Sequence, residues 1–350
     1  MARNDSLLAE ERLIFYITIP LSSAIVLANL FIFLGIAYNR QLHSTPNYFF
    51  LSLLVADLCT GVALPLIPWM GINRDLDFSS CLLVHIFPNF LFLSFLFNLV
   101  MVHYERYVCI VSPLHYSRFW VHRSFPAALL VAWAPPLLFA SLPAFGWNNR
   151  GAGCGHNSTA GCSYRRVFPN SFIYLEVYGV LLPAILSIVG MTCRVLWIAR
   201  EQLRGICKLH RAVERAGSSG EEHRLNLRYA RCVALISLTF LACWVPYIAY
   251  LHVSVGIIQH GGVQGRATTH IVLSCTGIGS TAIFPVILGL ANRQYTDSAR
   301  RAIRDLWDRC RATKGISSPT LKYRRSTQAG LSLFILELLV LVLNWKSMEK

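Results

Sequence analysis

Seven long apolar runs constrain the fold of this chain more than any other feature of its sequence. They cover roughly residues 13–38, 47–71, 81–111, 125–146, 171–198, 230–256 and 268–290. Each run is long enough for an α-helix to cross a bilayer, which takes about 20 residues. The runs are continuously apolar, whereas the strands of a membrane barrel alternate between apolar and polar residues. The sequence therefore predicts an all-α membrane protein, a seven-transmembrane helix bundle.

The composition indicates a bilayer rather than water as the surrounding medium. Only 14% of the 350 residues are charged, against about 25% in an average soluble domain. The net charge of +15 would suit nucleic acid, but the basic residues lie between the apolar runs, as in membrane-flanking loops. We therefore expect membrane lipid, and not nucleic acid, as a partner. The first run is too long for the apolar region of a cleavable signal peptide and is predicted to span the membrane.

The distribution of Lys and Arg predicts the orientation. With the N-terminus outside, seven of the 32 basic residues lie on the outer side and the other 25 on the inner side. Because such residues favour cytoplasmic loops, we predict a plasma-membrane protein with an extracellular N-terminus and a cytoplasmic C-terminus. The glycosylation sequons that begin at Asn4 and Asn157 both lie on the side assigned as extracellular.

The cysteines divide between the two sides. Cys81 begins the third run, and Cys154 and Cys162 lie in the loop after the fourth run. All three face the oxidising side, where disulfides persist. We predict a Cys81–Cys162 disulfide, with Cys154 as the rival partner. On the inner side, Cys310 is either a palmitoylation site or a free thiol.

Four segments follow from these patterns. They are an extracellular N-terminus (1–12), the seven-transmembrane domain (13–290), an amphipathic membrane-lying helix (291–312) and a cytoplasmic tail (313–350). Within the tail, the apolar stretch 331–345 is short for a membrane span and has no functional interpretation.

One polar pair is expected in the middle of the bundle. Asp57 lies midway along the second run, and Asn29 is the matching polar residue of the first. An ionisable residue within a membrane is costly and points to a function. The pair indicates either a sodium site at Asp57 or a hydrogen bond between helices without an ion.

A second polar group is expected nearer the outer face. Glu176 lies in the outer half of the fifth run with no Lys or Arg one turn away, and Asn89 and Tyr247 lie at similar depth in the third and sixth runs. A carboxylate, an amide and a phenol around an apolar cavity suit a large hydrophobic ligand that bears a few hydroxyl groups. An internal polar network is the alternative.

Short motifs indicate the family. The third run ends in "ERY" (105–107), the sixth contains "CWVP" (243–246), and Trp133 and Pro183 lie in the fourth and fifth. Together with seven helices, this pattern resembles the rhodopsin-like (class A) G-protein-coupled receptors over roughly residues 10–310. Stretches such as "YLEVYG" and "LFASLPAFGWN" resemble the bile acid receptors of that class. The resemblance implies a receptor for bile acids or steroids, without catalysis or a cofactor. It also implies coupling to the stimulatory G protein, a rise in cyclic AMP, and arrestin as a further partner.

The resemblance also implies roles for individual residues. Glu105 would hold Arg106 at rest, and Arg106 would contact the G protein in the active state, next to Tyr107. Activation would involve Trp244, which lies two residues before the kink at Pro246, together with Pro285. His85 stands where the family has a tyrosine. The residues expected to contact the ligand are Asn89, Glu176, Tyr247, Ser254, Trp244 and His85.

Other positions depart from the family or exclude its sister groups. The seventh run has Phe284 and Leu288 in place of the Asn and Tyr of the NPxxY motif, so a mechanism that uses that tyrosine is in doubt. Pro88 stands where amine receptors carry an Asp, and 268–290 contains no Lys for the Schiff base of an opsin. A class A receptor for another lipid is the alternative prediction. A transporter, which would need a repeat that the sequence lacks, is the remote one.

Overall fold

The computed structural model describes residues 2–65, 77–119, 123–149, 167–212, 220–259 and 267–315. The longer stretches within these ranges whose side chains are not described are 2–14, 202–212, 220–231, 254–259 and 310–315. The chain divides into two compact units, Met1–Ile303 and Arg304–Lys350. The seven long helices all belong to the first unit.

Eight long helices, numbered here in chain order, contain most of the described residues, which include short 3₁₀ helices but no strand. They are α1 (Ala2–Tyr38), α2 (Thr45–Ala63), α3 (Phe78–Val111), α4 (Phe125–Ser141), α5 (170–212), α6 (Gly220–Gln259), α7 (Ala267–Ala291) and α8 (Arg293–Gly315). Helix α5 has three consecutive parts: the α-helical Asn170–Tyr174, the π-helical Leu175–Leu181 and the α-helical Leu182–Ala212.

The membrane-spanning length predicted from the sequence is present in the helices. Six of them, α1 to α5 and α7, contain segments long and apolar enough to cross a membrane, and α6 contains the shorter apolar segment Ala234–Tyr250. The predicted seven-transmembrane helix bundle is therefore confirmed.

The residues next to the helix ends explain where several helices begin. The carboxylate of Asp77, which precedes α3, accepts hydrogen bonds from the backbone amides of Ser79 (3.2 Å) and Ser80 (3.3 Å). These bonds, above all those with Ser80, lower the pKa of Asp77. Pro46 and Pro126 lie in the first turns of α2 and α4, where a missing N–H breaks no helical hydrogen bond.

Helix α3 lies at the centre of the bundle and packs against α2, α4, α5 and α6. On one side, α1 packs against α2 and α7, and α6 packs against α7. Aromatic side chains fill the middle, where Phe95 of α3 stacks on Phe284 of α7 with ring centroids 5.7 Å apart. Such rings bury a large apolar area and prefer offset geometries, so they help fix the spacing of α3 and α7.

A polar chain ties α2, α3 and α4 together. Trp133 of α4 donates from Nε1 to the Ser52 hydroxyl of α2 (2.9 Å), which donates in turn to Asn98 Oδ1 of α3 (2.6 Å). Trp133, Ser52 and Asn98 thus satisfy one another by hydrogen bonds, which offsets the cost of placing polar groups in the bundle.

Helix α8 is fastened to the first two helices. Tyr295, which is buried, donates its hydroxyl to Asn47 Oδ1 of α2 (2.6 Å). Asn39, just after α1, donates to the Ser298 hydroxyl (3.1 Å). A Cβ on Gly35 of α1 would meet the backbone of Tyr295, so the close approach of α8 to α1 depends on that glycine.

Candidate functional site

The predicted group of Glu176, Asn89 and Tyr247 comes together between α3, α5 and α6. Glu176 is only 6% exposed and lies in the π-helical part of α5, and such turns are frequent at functional sites. Asn89 approaches the Glu176 carboxyl, but its buried Nδ2 has no hydrogen-bond partner among the described residues. Tyr247 lies within electrostatic range of Glu176. The group therefore places a carboxyl acceptor and an amide donor side by side on neighbouring helices.

Trp244 connects this group to the middle of the bundle. Its indole lies edge-on to Tyr247 (5.9 Å between centroids) and against Phe92 of α3 (4.4 Å). The indole N–H donates to the Ser280 hydroxyl of α7 (3.2 Å). A Cβ at Gly277 would lie 2.9 Å from the indole, so only glycine fits under the ring. The predicted position of Trp244 next to the polar group is therefore present in the structure.

His85 lies two turns into α3 and one turn after Cys81, the α3 member of the predicted disulfide. Its Nδ1 donates to the Cys81 carbonyl (2.8 Å), and its ring meets Phe168 edge-on at 6.4 Å. Cys81 is disulfide-bonded. Both predicted partners, Cys162 and Cys154, lie outside the described residues, so the choice between them stays a prediction.

Glu105 and Arg106 form the predicted ion pair at the end of α3. Arg106 Nε lies 2.9 Å from Glu105 Oε2, and both side chains are buried. The guanidinium also lies over the ring of Phe50 of α2, 5.5 Å from its centroid. Tyr107 packs beside Val195 of α5. The cation therefore stays within the bundle instead of pointing outward.

Tyr116 is a partner of this pair that the sequence analysis missed. It lies in the 3₁₀ helix Pro113–Arg118 and donates its hydroxyl to Glu105 Oε1 (2.6 Å). Burial and then the Glu105 charge raise the pKa of Tyr116, so the phenol remains a donor. The only signal in the sequence is a tyrosine shortly after "ERY".

A buried polar node joining three helices was also missed. His103 of α3 donates from Nδ1 to the Leu99 carbonyl (2.7 Å), and its Nε2 lies 2.5 Å from the Ser237 hydroxyl of α6. That hydroxyl also lies 2.7 Å from the Thr192 hydroxyl of α5. With the imidazole neutral, Ser237 donates to His103 and Thr192 donates to Ser237. We call His103, Ser237 and Thr192 the triad node.

Asp57 lies where the sodium site was predicted. It is fully buried, and neither carboxylate oxygen has a hydrogen-bond partner among the described residues. Asn29 donates from Nδ2 to the carbonyls of Ile25 (2.8 Å) and Thr281 (2.9 Å), while its Oδ1 is also without a described partner. The described structure contains no direct Asp57–Asn29 hydrogen bond, and both a sodium site and a contact between helices stay predictions.

The departures in the seventh run are apolar and buried. Phe284 and Leu288 are both about 1% exposed, so they fill the core where the family motif has polar groups. Pro285 and Pro246 lie inside α7 and α6.

Several predicted sites lie outside the described residues. The side chains of Asn4, Ser254 and Cys310 are not described, and neither are Asn157 and the apolar stretch 331–345. They stay predictions.

Comparison with known proteins completes the description. Residues 28–288 match the profile of the family described as 7 transmembrane receptor (rhodopsin family). G-protein coupled bile acid receptor 1 of Homo sapiens is 42% identical over 322 residues, which cover 91% of this chain and 93% of that protein. Its counterpart in Mus musculus is 42% identical over 324 residues, covering 91% of this chain and 94% of that protein. Adenosine receptor A2a of Homo sapiens is 28% identical over 244 residues, covering 66% of this chain and 58% of that protein.

Proposed function

Because this chain belongs to the rhodopsin family of seven-transmembrane receptors, we propose that it is a cell-surface receptor for bile acids or related steroids. Members of this family are multi-pass receptors of the plasma membrane that couple to G proteins and are not enzymes. The observation that carries the ligand proposal is the 42% identity, over 91% of the chain, to proteins named as bile acid receptors. A class A receptor for another hydrophobic ligand is the alternative.

The polar group near the outer face supports this ligand class. A bile acid is a rigid apolar ring system with a few hydroxyl groups and an acidic side chain. Asn89 Nδ2 has no partner among the described residues and can donate to a ligand hydroxyl, while Glu176 can accept from one. The neighbouring aromatic rings of Trp244 and Tyr247 offer the apolar surface that the steroid rings require.

Signalling follows from a shift between two populations of the bundle. The ligand favours a state in which α6 separates from α3 and α5, because it binds that state better. Trp244 contacts both Tyr247 of the outer polar group and Phe92 in the core of the bundle. Pro246, two residues later in α6, allows the helix to bend.

The Glu105–Arg106 pair, which we call the charge latch, keeps the resting state closed. Opening releases Arg106 to contact the stimulatory G protein, which raises cyclic AMP, and arrestin binds the same opened face.

The orientation of the chain is part of the same proposal. Its N-terminus is extracellular and its C-terminus cytoplasmic, which the excess of Lys and Arg on one side supports. Asn4 and Asn157 then carry glycans, Cys162 pairs with Cys81, and Cys310 carries a palmitoyl group on the cytoplasmic side.

A sodium ion at Asp57 is consistent with the free oxygens described above. The carboxylate would supply the charge, and Asn29 Oδ1 a further ligand. Sodium-dependent weakening of agonist binding that disappears in Asp57→Asn would support this; the same dependence in both proteins would exclude it.

The main test is cyclic AMP accumulation in transfected cells exposed to a panel of bile acids and sterols. Glu176→Ala is expected to weaken hydroxylated ligands more than their deoxy analogues, since it removes a hydrogen-bond acceptor. Leu175→Ala is the matched control, because Leu175 lies on the same π-helical part and is 44% exposed. Equal losses for both ligand series would make Glu176 a structural residue. No response to any bile acid or steroid, with surface expression confirmed, would refute the ligand proposal.

A further inference from the structure

A groove between α1, α7 and α8 is separate from both sites described above. Its volume is about 640 Å³, within the range of about 300–1,000 Å³ that is usual for ligand sites. Its apolar wall includes Phe31 of α1 and Val286 and Leu290 of α7, and its polar rim belongs to α8. We call this the α1–α7–α8 groove.

The rim comes from one stripe of α8. Arg293, Asp297 and Arg300 are spaced by four and three residues, so they share one face of the helix, and all three line the groove. A different stripe, which includes Tyr295 and Ala299, is buried against the bundle. Helix α8 therefore packs with one face and presents charge to the groove with another.

The charge on the rim is positive. Arg300 lies 4.0 Å from Asp297, and these side chains are 69% and 52% exposed, so the pair is weak. Two arginines against one aspartate leave one net positive charge. Arg293 is exposed, and its side chain makes no hydrogen bond or ion pair among the described residues.

The groove is held in a fixed shape. The hydrogen bonds of Tyr295 to Asn47 and of Ser298 to Asn39 fix α8 against the ends of α1 and α2. On the floor, a Cβ at Gly289 would lie 3.0 Å from Thr296 and 3.1 Å from Ile32. A preformed site loses less entropy on binding than one that must be ordered first.

The position of the groove indicates which class of molecule it binds. Its apolar wall follows α7 up to Leu290, the last residue of the apolar span of that helix, and its rim begins three residues later at Arg293. An apolar slot with cationic residues at the membrane boundary matches a lipid with an acyl chain and an anionic head group.

We propose that the α1–α7–α8 groove binds an anionic glycerophospholipid. One acyl chain lies along Phe31, Val286 and Leu290, and the phosphate contacts Arg293 and Arg300. The arginines favour an anionic lipid over a zwitterionic lipid or a sterol, because the rim carries net positive charge. With the orientation proposed above, this lipid belongs to the inner leaflet.

The test is lipid binding to the purified full-length chain, measured by native mass spectrometry during titration with phosphatidylserine or phosphatidylcholine. Arg293→Ala and Arg300→Ala are each expected to weaken the first phosphatidylserine adduct about fivefold, the usual effect of one cation near an anionic lipid surface. Arg301→Ala is the matched control, since it removes the same charge from an exposed position of α8 that does not line the groove. Its affinity should equal that of the wild type.

A second pair of variants tests the acyl slot. Val286→Trp should fill the groove and weaken phosphatidylserine binding with all the arginines intact. Ile283→Trp, on an exposed position one turn earlier in α7 and outside the lining, should leave it unchanged.

Two outcomes would overturn the proposal. If Arg301→Ala and Arg293→Ala weaken phosphatidylserine binding equally, the lipid is attracted to the charge of α8 as a whole and not to the groove. If phosphatidylserine and phosphatidylcholine bind with equal affinity, the site does not select an anionic head group. The lipid titration contains no bile acid, so its result does not depend on whether bile acids activate the receptor. Failure of the lipid proposal can therefore be distinguished from failure of the proposed function.

Discussion

Removing the Ser237 hydroxyl tests whether the triad node keeps the receptor closed. Ser237 of α6 contacts His103 of α3 at 2.5 Å and Thr192 of α5 at 2.7 Å. If α6 separates from α3 and α5 on activation, both contacts exist only in the closed state. Ser237→Ala removes both and leaves two buried polar groups without this partner in the closed state. The substitution should therefore raise the open population.

The size of the effect follows from the number of bonds lost. Hydrogen bonds between membrane helices contribute about 0.6 kcal/mol on average, so two contribute about 1.2 kcal/mol. That energy multiplies the ratio of open to closed receptor by about eightfold. For a resting open population of about 1%, within the usual range for minor states, the mutant would be about 7% open.

The assay is ligand-free cyclic AMP accumulation at matched surface expression. The control is Thr239→Ala, which removes a hydroxyl from the same helix. Among the described residues, Thr239 donates only to the Leu235 carbonyl one turn earlier (2.9 Å). We expect about sevenfold higher basal signalling for Ser237→Ala and no change for Thr239→Ala. Equal basal activity in the two variants would refute the closing role of the node.

Three further predictions concern the latch, the indole and a helix cap. Tyr116→Phe removes the hydrogen bond to Glu105, the acidic member of the charge latch. Loss of about 0.6 kcal/mol of stabilisation of the closed state should raise basal cyclic AMP two- to threefold. Unchanged basal activity would mean that the ion pair holds the closed state without this bond. Gly277→Ala forces a Cβ against Trp244 and should destabilise the detergent-solubilised receptor by about 1–3 kcal/mol. Gly190→Ala, which meets nothing within 4 Å, should not destabilise it, and equal melting temperatures for the two would contradict the close packing. The pKa of Asp77 is lowered in the folded state. Its hydrogen bonds to the start of α3 therefore stabilise the fold at pH values above the ordinary pKa of an aspartate, and this stabilisation is lost as the pH falls through the lowered pKa. Melting temperatures of Asp77→Asn should lack that acid-dependent loss, and an identical acid profile for mutant and wild type would assign the loss to other carboxyls.

The helices and the outer polar group could be predicted because each depends on a local rule. A continuous apolar run must satisfy its backbone internally, so seven runs predict seven helices. Glu176 stood out because a carboxylate within such a run is costly. Its neighbours Asn89 and Tyr247 followed from their similar depth in adjoining helices.

The triad node and Tyr116 could not be predicted in this way. His103 and Ser237 are 134 residues apart in the chain, and no periodicity indicates which faces of α3 and α6 meet. His103 alone could have been noticed, since it is an ionisable residue inside an apolar run. The π-helical part of α5 was also missed, because one inserted residue leaves the apolar composition unchanged.

The fastening of Tyr295 has a consequence for how motion is shared within the bundle. Its hydroxyl is engaged with Asn47 of α2, and the last turns of α7 carry Phe284 and Leu288 in place of polar groups. A swing of α7 into the interior would therefore bring no hydroxyl from these two positions with which to form new bonds. Hydrogen bonds join α8 to α2 and to the end of α1, and α1 packs against α7. We therefore expect α7 to keep its position during activation. Under the proposed mechanism the movement then falls to α6, whose Ser237 makes the contacts with α3 and α5 that must be broken.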